Sequence, residues 1–191
     1  MNHEDHLGLI RDGVAGAGSR WLELGAGEGA FTLALADLLG PAGRITAMDR
    51  DARALGQMLQ AVAARFPATQ VESIVGDFRA DLPAGEFDGL LAANSLHFVT
   101  DPGAVLCEAA TRIRPGGRVV VVEYDADRGN PWVPHPFSSH RFPAIAAAAG
   151  LIGAREIGRV PSRFLGAIYG AMAEVPAGLV HSAPHGNDRE E

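Results

Sequence analysis

Two kinds of hydrophobic pattern alternate along most of the chain. Short apolar runs at Trp21–Leu24, Arg44–Met48, Gln70–Val75, Phe87–Ala93 and Arg118–Tyr124 read as buried parallel strands. Between them, apolar positions recur at helical spacing over Gly29–Leu39, Ala52–Arg65 and Pro102–Ile113. The last of these starts behind Thr100 or Asp101, both good caps, with Pro102 early in the helix. Pro115-Gly116-Gly117 is expected to end it. This order predicts an α/β fold with a doubly wound, mostly parallel sheet.

The pattern changes after Tyr124. Asp125–His140 is irregular and rich in proline, aromatic residues and histidine, and a helix over about Ser138–Ala149 follows, ended by Gly150. Two further runs, Ala154–Val160 and Arg163–Ala173, are separated only by Pro161 and Ser162, which permits a hairpin but no parallel crossover. The sheet should therefore gain an antiparallel pair at one edge. Residues 1–174 read as one domain, with a short helix before residue 20, and 175–191 as a flexible tail without periodicity.

Composition narrows the chemistry. The 191 residues carry a net charge of −7, which argues against a nucleic-acid partner. All 16 basic residues are arginine, so a lysine Schiff base, a P-loop lysine and a Tyr-x-x-x-Lys pair are excluded. Cys107 is the single cysteine, so neither an intrachain disulfide nor a cysteine-based zinc site can form. The polar start and the lack of a run of roughly 20 apolar residues predict a cytoplasmic protein with no signal peptide and no membrane span. His135 and His140 lack a third ligand, so no metal is expected.

Candidate ligand chemistry gathers at strand ends. Leu22-Glu23-Leu24-Gly25-Ala26-Gly27-Glu28-Gly29 leaves the first strand and enters the first crossover helix. Gly25 permits a tight turn and Gly27 lets a ligand approach the backbone, while amides at the helix start favour negative groups. Asp49 ends the second strand 24 residues after Gly25, where a carboxylate accepts both ribose hydroxyls of a nicotinamide or an adenosyl ligand alike. Asp77-Phe78 follows the third strand and Asn94-Ser95-Leu96-His97 the fourth. In an open α/β sheet these ends converge on one crevice.

Across Arg20–Ala173 these features resemble the class I S-adenosylmethionine-dependent methyltransferases, and most closely their small-molecule, quinone-biosynthesis-like branch. Leu22–Gly29, Asp49, Asp77-Phe78, Phe87–Phe98 and Arg114-Pro115-Gly116-Gly117 carry the resemblance. It implies a seven-stranded sheet with an antiparallel last strand. It also implies that Glu23, Gly25, Ala26 and Gly27 surround the amino-acid end of S-adenosylmethionine, that Asp49 binds the ribose with Arg50 beside the adenine, that Asp77 and Phe78 meet the adenine edge, and that Asn94 lies near the sulfonium.

Methyl transfer to a small-molecule acceptor needs alignment and a dry site, and a general base only where the acceptor must lose a proton. His97 is the candidate base, and Tyr124 and Asp125, at the end of the fifth strand, the other acceptor-side residues. A lid is expected from Asp125–His140, from the first helix, or from a second subunit of a homodimer. Two alternatives stay open: a nicotinamide-dependent oxidoreductase, and a non-catalytic protein that binds S-adenosylmethionine.

Overall fold

A computed structural model of the chain describes residues 1–178. Seven strands form one sheet: β1 (Arg20–Leu24), β2 (Arg44–Asp49), β3 (Gln70–Val75), β4 (Phe87–Ala93), β5 (Ile113–Tyr124), β6 (Ile152–Ser162) and β7 (Gly166–Glu174). Their order is β3-β2-β1-β4-β5-β7-β6. The first five are parallel; β7 runs antiparallel to both β5 and β6. The doubly wound sheet and the antiparallel edge hairpin are as the sequence predicts.

Alternation along the strands divides the core. Trp21, Leu91, Val120 and Val122 face one layer, with α1 (His3–Val14), α2 (Ala30–Leu39) and α3 (Ala52–Arg65). Leu22, Leu24, Leu90, Val119 and Val121 face the other, with α4 (Pro102–Ala110) and α5 (Phe142–Ala148). A strand covered on both faces needs few polar positions, which is why Leu90–Ala93 of β4 and Val119–Val122 of β5 read as continuous apolar runs. Each buried Leu or Val contributes roughly 1.5–3 kcal/mol.

Four boundaries differ from expectation. Helix α4 stops at Ala110, because the Thr111 hydroxyl and amide both return to the Glu108 carbonyl and Phe87 N–H already bonds Arg112 O at 2.8 Å. Pro115-Gly116-Gly117 therefore lies inside β5, at a register shift, and not at a helix end. Helix α5 begins only at Phe142, since the amides of Ser138 and Ser139 are taken by Asp127 and Asp125. Pro161 and Ser162 belong to β6, and the turn falls at residues 163–165; β6 is an edge strand, where proline's missing N–H costs little. The strand β3 is the opposite edge, and none of its residues is fully buried.

Val175, placed in the tail by the sequence, belongs to the folded sheet. Val175 is buried and exchanges backbone hydrogen bonds of 2.9 Å with Gly116 and Gly117, which staples it to β5. Residues 179–191 lie outside the described residues. No helix among the described residues is long and apolar enough to cross a membrane.

The irregular segment after β5 is tied down along its length. Asp125 holds Arg159 and the Ser139 amide, His135 N–H donates to His97 O, and the buried Tyr169 hydroxyl of β7 donates to Phe137 O at 2.9 Å. Tyr169→Phe strands that buried carbonyl and should lower stability by about 1–3 kcal/mol. Urea unfolding at constant m-value reads the loss; an unchanged midpoint would show that the bond contributes nothing.

Candidate active site

The carboxyl ends of the five parallel strands β1 to β5 meet at two adjoining cavities. The first, about 280 Å³, is lined by Gly25, Gly27, Asp49, Asp77, Phe78 and Asn94, with Arg50, Arg79, Ser95 and Phe98 completing it. The second, about 430 Å³, is lined by Asn94, His97, Phe98, Tyr124, Trp132, Val133 and Phe164. Asn94 and Phe98 belong to both. The apolar cavity between α4 and α5, lined by Ala110, Ala149 and Leu151, lies away from these strand ends.

The glycine loop is tightly built. Gly25 has φ +75°, and a Cβ on it would lie 2.5 Å from the Ser95 Cβ, so only glycine lets β1 turn against the exit of β4. A Cβ on Gly27 would meet nothing within 4 Å, because that position opens toward the cavity. The loop amides are already engaged: Gly25 and Ala26 N–H both donate to Met48 O, and Gly27 N–H donates to Asp49 Oδ2 at 2.8 Å. Among the loop positions, Gly25 and Gly27 therefore contribute surface and shape, not free donors to an anion.

Two expected cofactor residues do not reach this cavity. Ala26 is buried, with its amide spent on Met48. Glu23 lies under the loop, 1% exposed, and its Oε2 accepts from the Thr32 hydroxyl at 2.7 Å. Burial pushes the Glu23 carboxyl up to about 8, against the opposing bond from Thr32 and with some help from Asp49.

Asp49 and Asp77 do line the cavity. Asp49 Oδ1 also accepts Asp51 N–H at 2.9 Å. Asp77 is forked by Arg79, whose Nε lies 2.9 and 3.1 Å from its two oxygens. The Arg79 bonds hold the Asp77 carboxyl at about 2, despite some desolvation. Arg79 carries no signal in the sequence, where it reads as one of 16 arginines. Asn94 sits at φ +52°, a left-handed conformation that asparagine tolerates better than most residues. Its Oδ1 and the Ser95 Oγ are buried without a partner among the described residues. Unpaired buried acceptors beside a cavity are costly unless a ligand meets them.

The second cavity has a charged support behind it. Glu123, fully buried near the end of β5, accepts Leu96 N–H (2.9 Å) and His97 N–H (3.2 Å) at Oε1, and its Oε2 lies 2.7 Å from His97 Nδ1. His97 Nε2 has no hydrogen-bond partner among the described residues. Tyr124 lines the same cavity, and burial, then the neighbouring Glu123 charge, raises its hydroxyl above the ordinary range. Asp125, expected beside them, does not line it. Although burial works the other way, Arg159 and the Ser139 amide hold its carboxyl below the ordinary range, so it anchors the following loop. That loop supplies a wall with Trp132 and Val133. Glu123 had a visible signal, as the one charge inside the apolar run Val119–Tyr124. Phe164 had none, since its place depends on where the β6–β7 turn falls.

Residues 22–121 match the family described as a methyltransferase domain. Over 137 residues the chain is 28% identical to the ubiquinone/menaquinone biosynthesis C-methyltransferase UbiE of Hahella chejuensis, covering 71% of this chain and 55% of that protein. It is 34% identical over 111 residues to an uncharacterized 37.1 kDa protein in transposon TN4556 of Streptomyces fradiae, covering 58% of this chain and 31% of that one. The chain thus spans about half, or less, of the length of these curated relatives. The solved structure of the N-methyltransferase NodS from Bradyrhizobium japonicum, in complex with S-adenosyl-L-homocysteine, shares the fold with a TM-score of 0.71 at 24% identity, over 91% of this chain and 86% of that one.

Glu23 yields a pH prediction. Its folded-state value lies above the unfolded one, so the folded state holds the proton more tightly. Its contribution is most favourable below the unfolded value near 4.5 and is lost as pH rises toward 8. Glu23→Gln keeps an acceptor for Thr32 without the ionisation. Urea unfolding at several pH values should show wild type losing stability relative to Glu23→Gln between about pH 4.5 and 8; a constant difference would contradict this.

Proposed function

The chain belongs to the methyltransferase-domain family, and from that membership we propose that it transfers the methyl group of S-adenosylmethionine to a small-molecule acceptor by in-line displacement. The carrying observation is the pair of cavities that meet at Asn94, one rich in polar strand-end groups and the other aromatic. Membership also sets aside the nicotinamide reading of the glycine loop, which did not call for β7 lying antiparallel between β5 and β6.

The residues of the first cavity suit the donor. The space beyond Gly27 leaves room for a ligand against the backbone, and Asp49 offers a carboxylate for ribose hydroxyls. Asp77, kept ionised, suits an exocyclic amine, with Phe78 as the flat apolar neighbour and Arg50 at the rim. The unpaired Asn94 Oδ1 is an acceptor dipole suited to a neighbouring positive sulfur. Bound S-adenosylmethionine supplies a methyl group on an already activated leaving group. The protein's task is then to align the acceptor and exclude water. Asn94 marks the boundary that the methyl group must cross, and His97 and Tyr124 face the acceptor side. The binding of S-adenosyl-L-homocysteine by NodS agrees with this reading.

Calorimetry should show S-adenosylmethionine or S-adenosyl-L-homocysteine binding near micromolar, about −8 kcal/mol. Asp49→Ala should weaken it by about 1.5–3 kcal/mol through the lost charge-assisted bonds. No saturable heat with either ligand would sink the proposal. Binding without turnover across a broad acceptor panel would leave only a non-catalytic S-adenosylmethionine-binding protein.

A further inference from the structure

The second cavity has an unusual rim for a protein surface. Three of the most exposed large apolar side chains, Trp132 (71%), Phe98 (50%) and Phe164 (49%), come from three separate segments and converge on it. With Tyr124 and His97 their rings form a chain: edge contacts, by ring centroids, of Trp132 to Phe164 at 6.2 Å, Phe164 to Tyr124 at 5.8 Å and Tyr124 to His97 at 5.9 Å, and a tilted pair of His97 and Phe98 at 4.3 Å. Among the described residues, no Asp, Glu or Arg side chain lines this cavity, so an anionic acceptor would lose its water without gaining a cation, and an ammonium would find no carboxylate. Exposed aromatic surface gathered in this way marks a binding site for a flat apolar group.

The one polar apparatus here is aimed at a proton. A carboxylate accepts hydrogen bonds only, so Glu123 Oε2 holds His97 with its proton on Nδ1. That leaves Nε2, on the cavity-lining ring, as the acceptor lone pair. The two backbone donors on Oε1 fix the carboxylate itself.

We propose that the second cavity takes an uncharged aromatic ring bearing a hydroxyl group, and that Glu123 is the positioning residue that makes His97 its general base. The inference rests on the methyltransferase reading and names the acceptor class for that site. The acceptor oxygen forms a bond to the methyl carbon as the carbon–sulfur bond breaks. The electrons of that bond go to sulfur, which leaves as a neutral thioether. The hydroxyl proton passes to His97 Nε2, and the Glu123 carboxylate balances the resulting imidazolium until the proton is lost to water. The product is an aryl methyl ether. A carboxylate acceptor has no proton to give to Nε2, and an ammonium finds no carboxylate among the residues lining this pocket.

Calorimetry with S-adenosyl-L-homocysteine first establishes the donor half independently; its failure is a failure of the methyltransferase reading. With that binding shown, β-naphthol and umbelliferone serve as probes, with β-naphthoate and benzylamine as charged counterparts, and product is followed by mass spectrometry. At least one phenol should yield its methyl ether, with β-naphthoate and benzylamine at least about tenfold poorer. Glu123→Gln keeps an acceptor for both backbone amides but turns an N–H₂ toward Nδ1, which moves the ring proton to Nε2. It should lower kcat by about 100-fold with KM within about twofold. Where Glu123→Gln fails to bind S-adenosyl-L-homocysteine as wild type does, His97→Gln replaces it with the same expected split. No ether from either phenol, a preference for the amine or carboxylate, or a full wild-type kcat in these variants overturns the proposal.

Discussion

The grip of Glu123 on the turn that follows β4 is the interaction on which the site depends. Burying a carboxylate costs several kcal/mol unless its lone pairs are met. Here two backbone amides and one imidazole nitrogen meet them, all from Leu96 and His97. The charge on one strand thereby dictates the path of the chain leaving the adjacent one. The turn of Leu96–Phe98 is held against β5, and its residues His97 and Phe98 stand at the aromatic cavity. Just before it, Asn94 is bonded through its N–H to Val122 O at 2.8 Å and takes up a left-handed conformation. The junction between the two cavities is thus set by β4 and β5 together. Removing the carboxylate while leaving its partners would strand three donors in the core.

The cavity beside the glycine loop follows a different rule, internal satisfaction. The loop after β1 spends its amides on Met48 and on Asp49, so its shape is fixed without a ligand. The same carboxylate that presents to the cavity also braces the loop, so Asp49 couples shape to recognition. Preorganisation of this kind spares the ligand the cost of ordering the loop. Beside the cavities, the buried side-chain atoms left unpaired among the described residues lie at the β4 exit, Asn94 Oδ1 and Ser95 Oγ. The segment Asp125–His140 completes the aromatic cavity as an anchored wall, held through Asp125, His135 and Phe137.

Much of this was legible in the chain. Strands buried on both faces show as uninterrupted apolar runs, and the short spacing near Pro161 permits only a hairpin, so the sheet and its antiparallel edge follow from pattern alone. Asp49, Asp77, Phe78, Asn94 and His97 were legible because strand ends in such sheets share one edge. What escaped was decided by tertiary contacts. Glu23 reads as a ligand group from its place beside the glycine loop, but alternation along β1 turns it into the core next to Thr32. Asp125 reads as an acceptor-side acid, but Arg159, distant in sequence, claims it. Pro115-Gly116-Gly117 reads as a helix stop because glycine and proline break helices, whereas here they shape a register shift stapled by Val175. Phe164 and Arg79 carry no local signal for their places, which depend on a turn three residues long and on a fork to Asp77.

The central claim is that the two cavities are the donor and acceptor halves of one transfer site joined at Asn94. A crystal structure with S-adenosyl-L-homocysteine tests it most directly. The account predicts the ribose hydroxyls on Asp49, the adenine beside Phe78 and Asp77, and the sulfur next to Asn94, with its open side facing His97 and Tyr124. Ligand bound elsewhere on the sheet, or a sulfur facing away from the aromatic cavity, would contradict it.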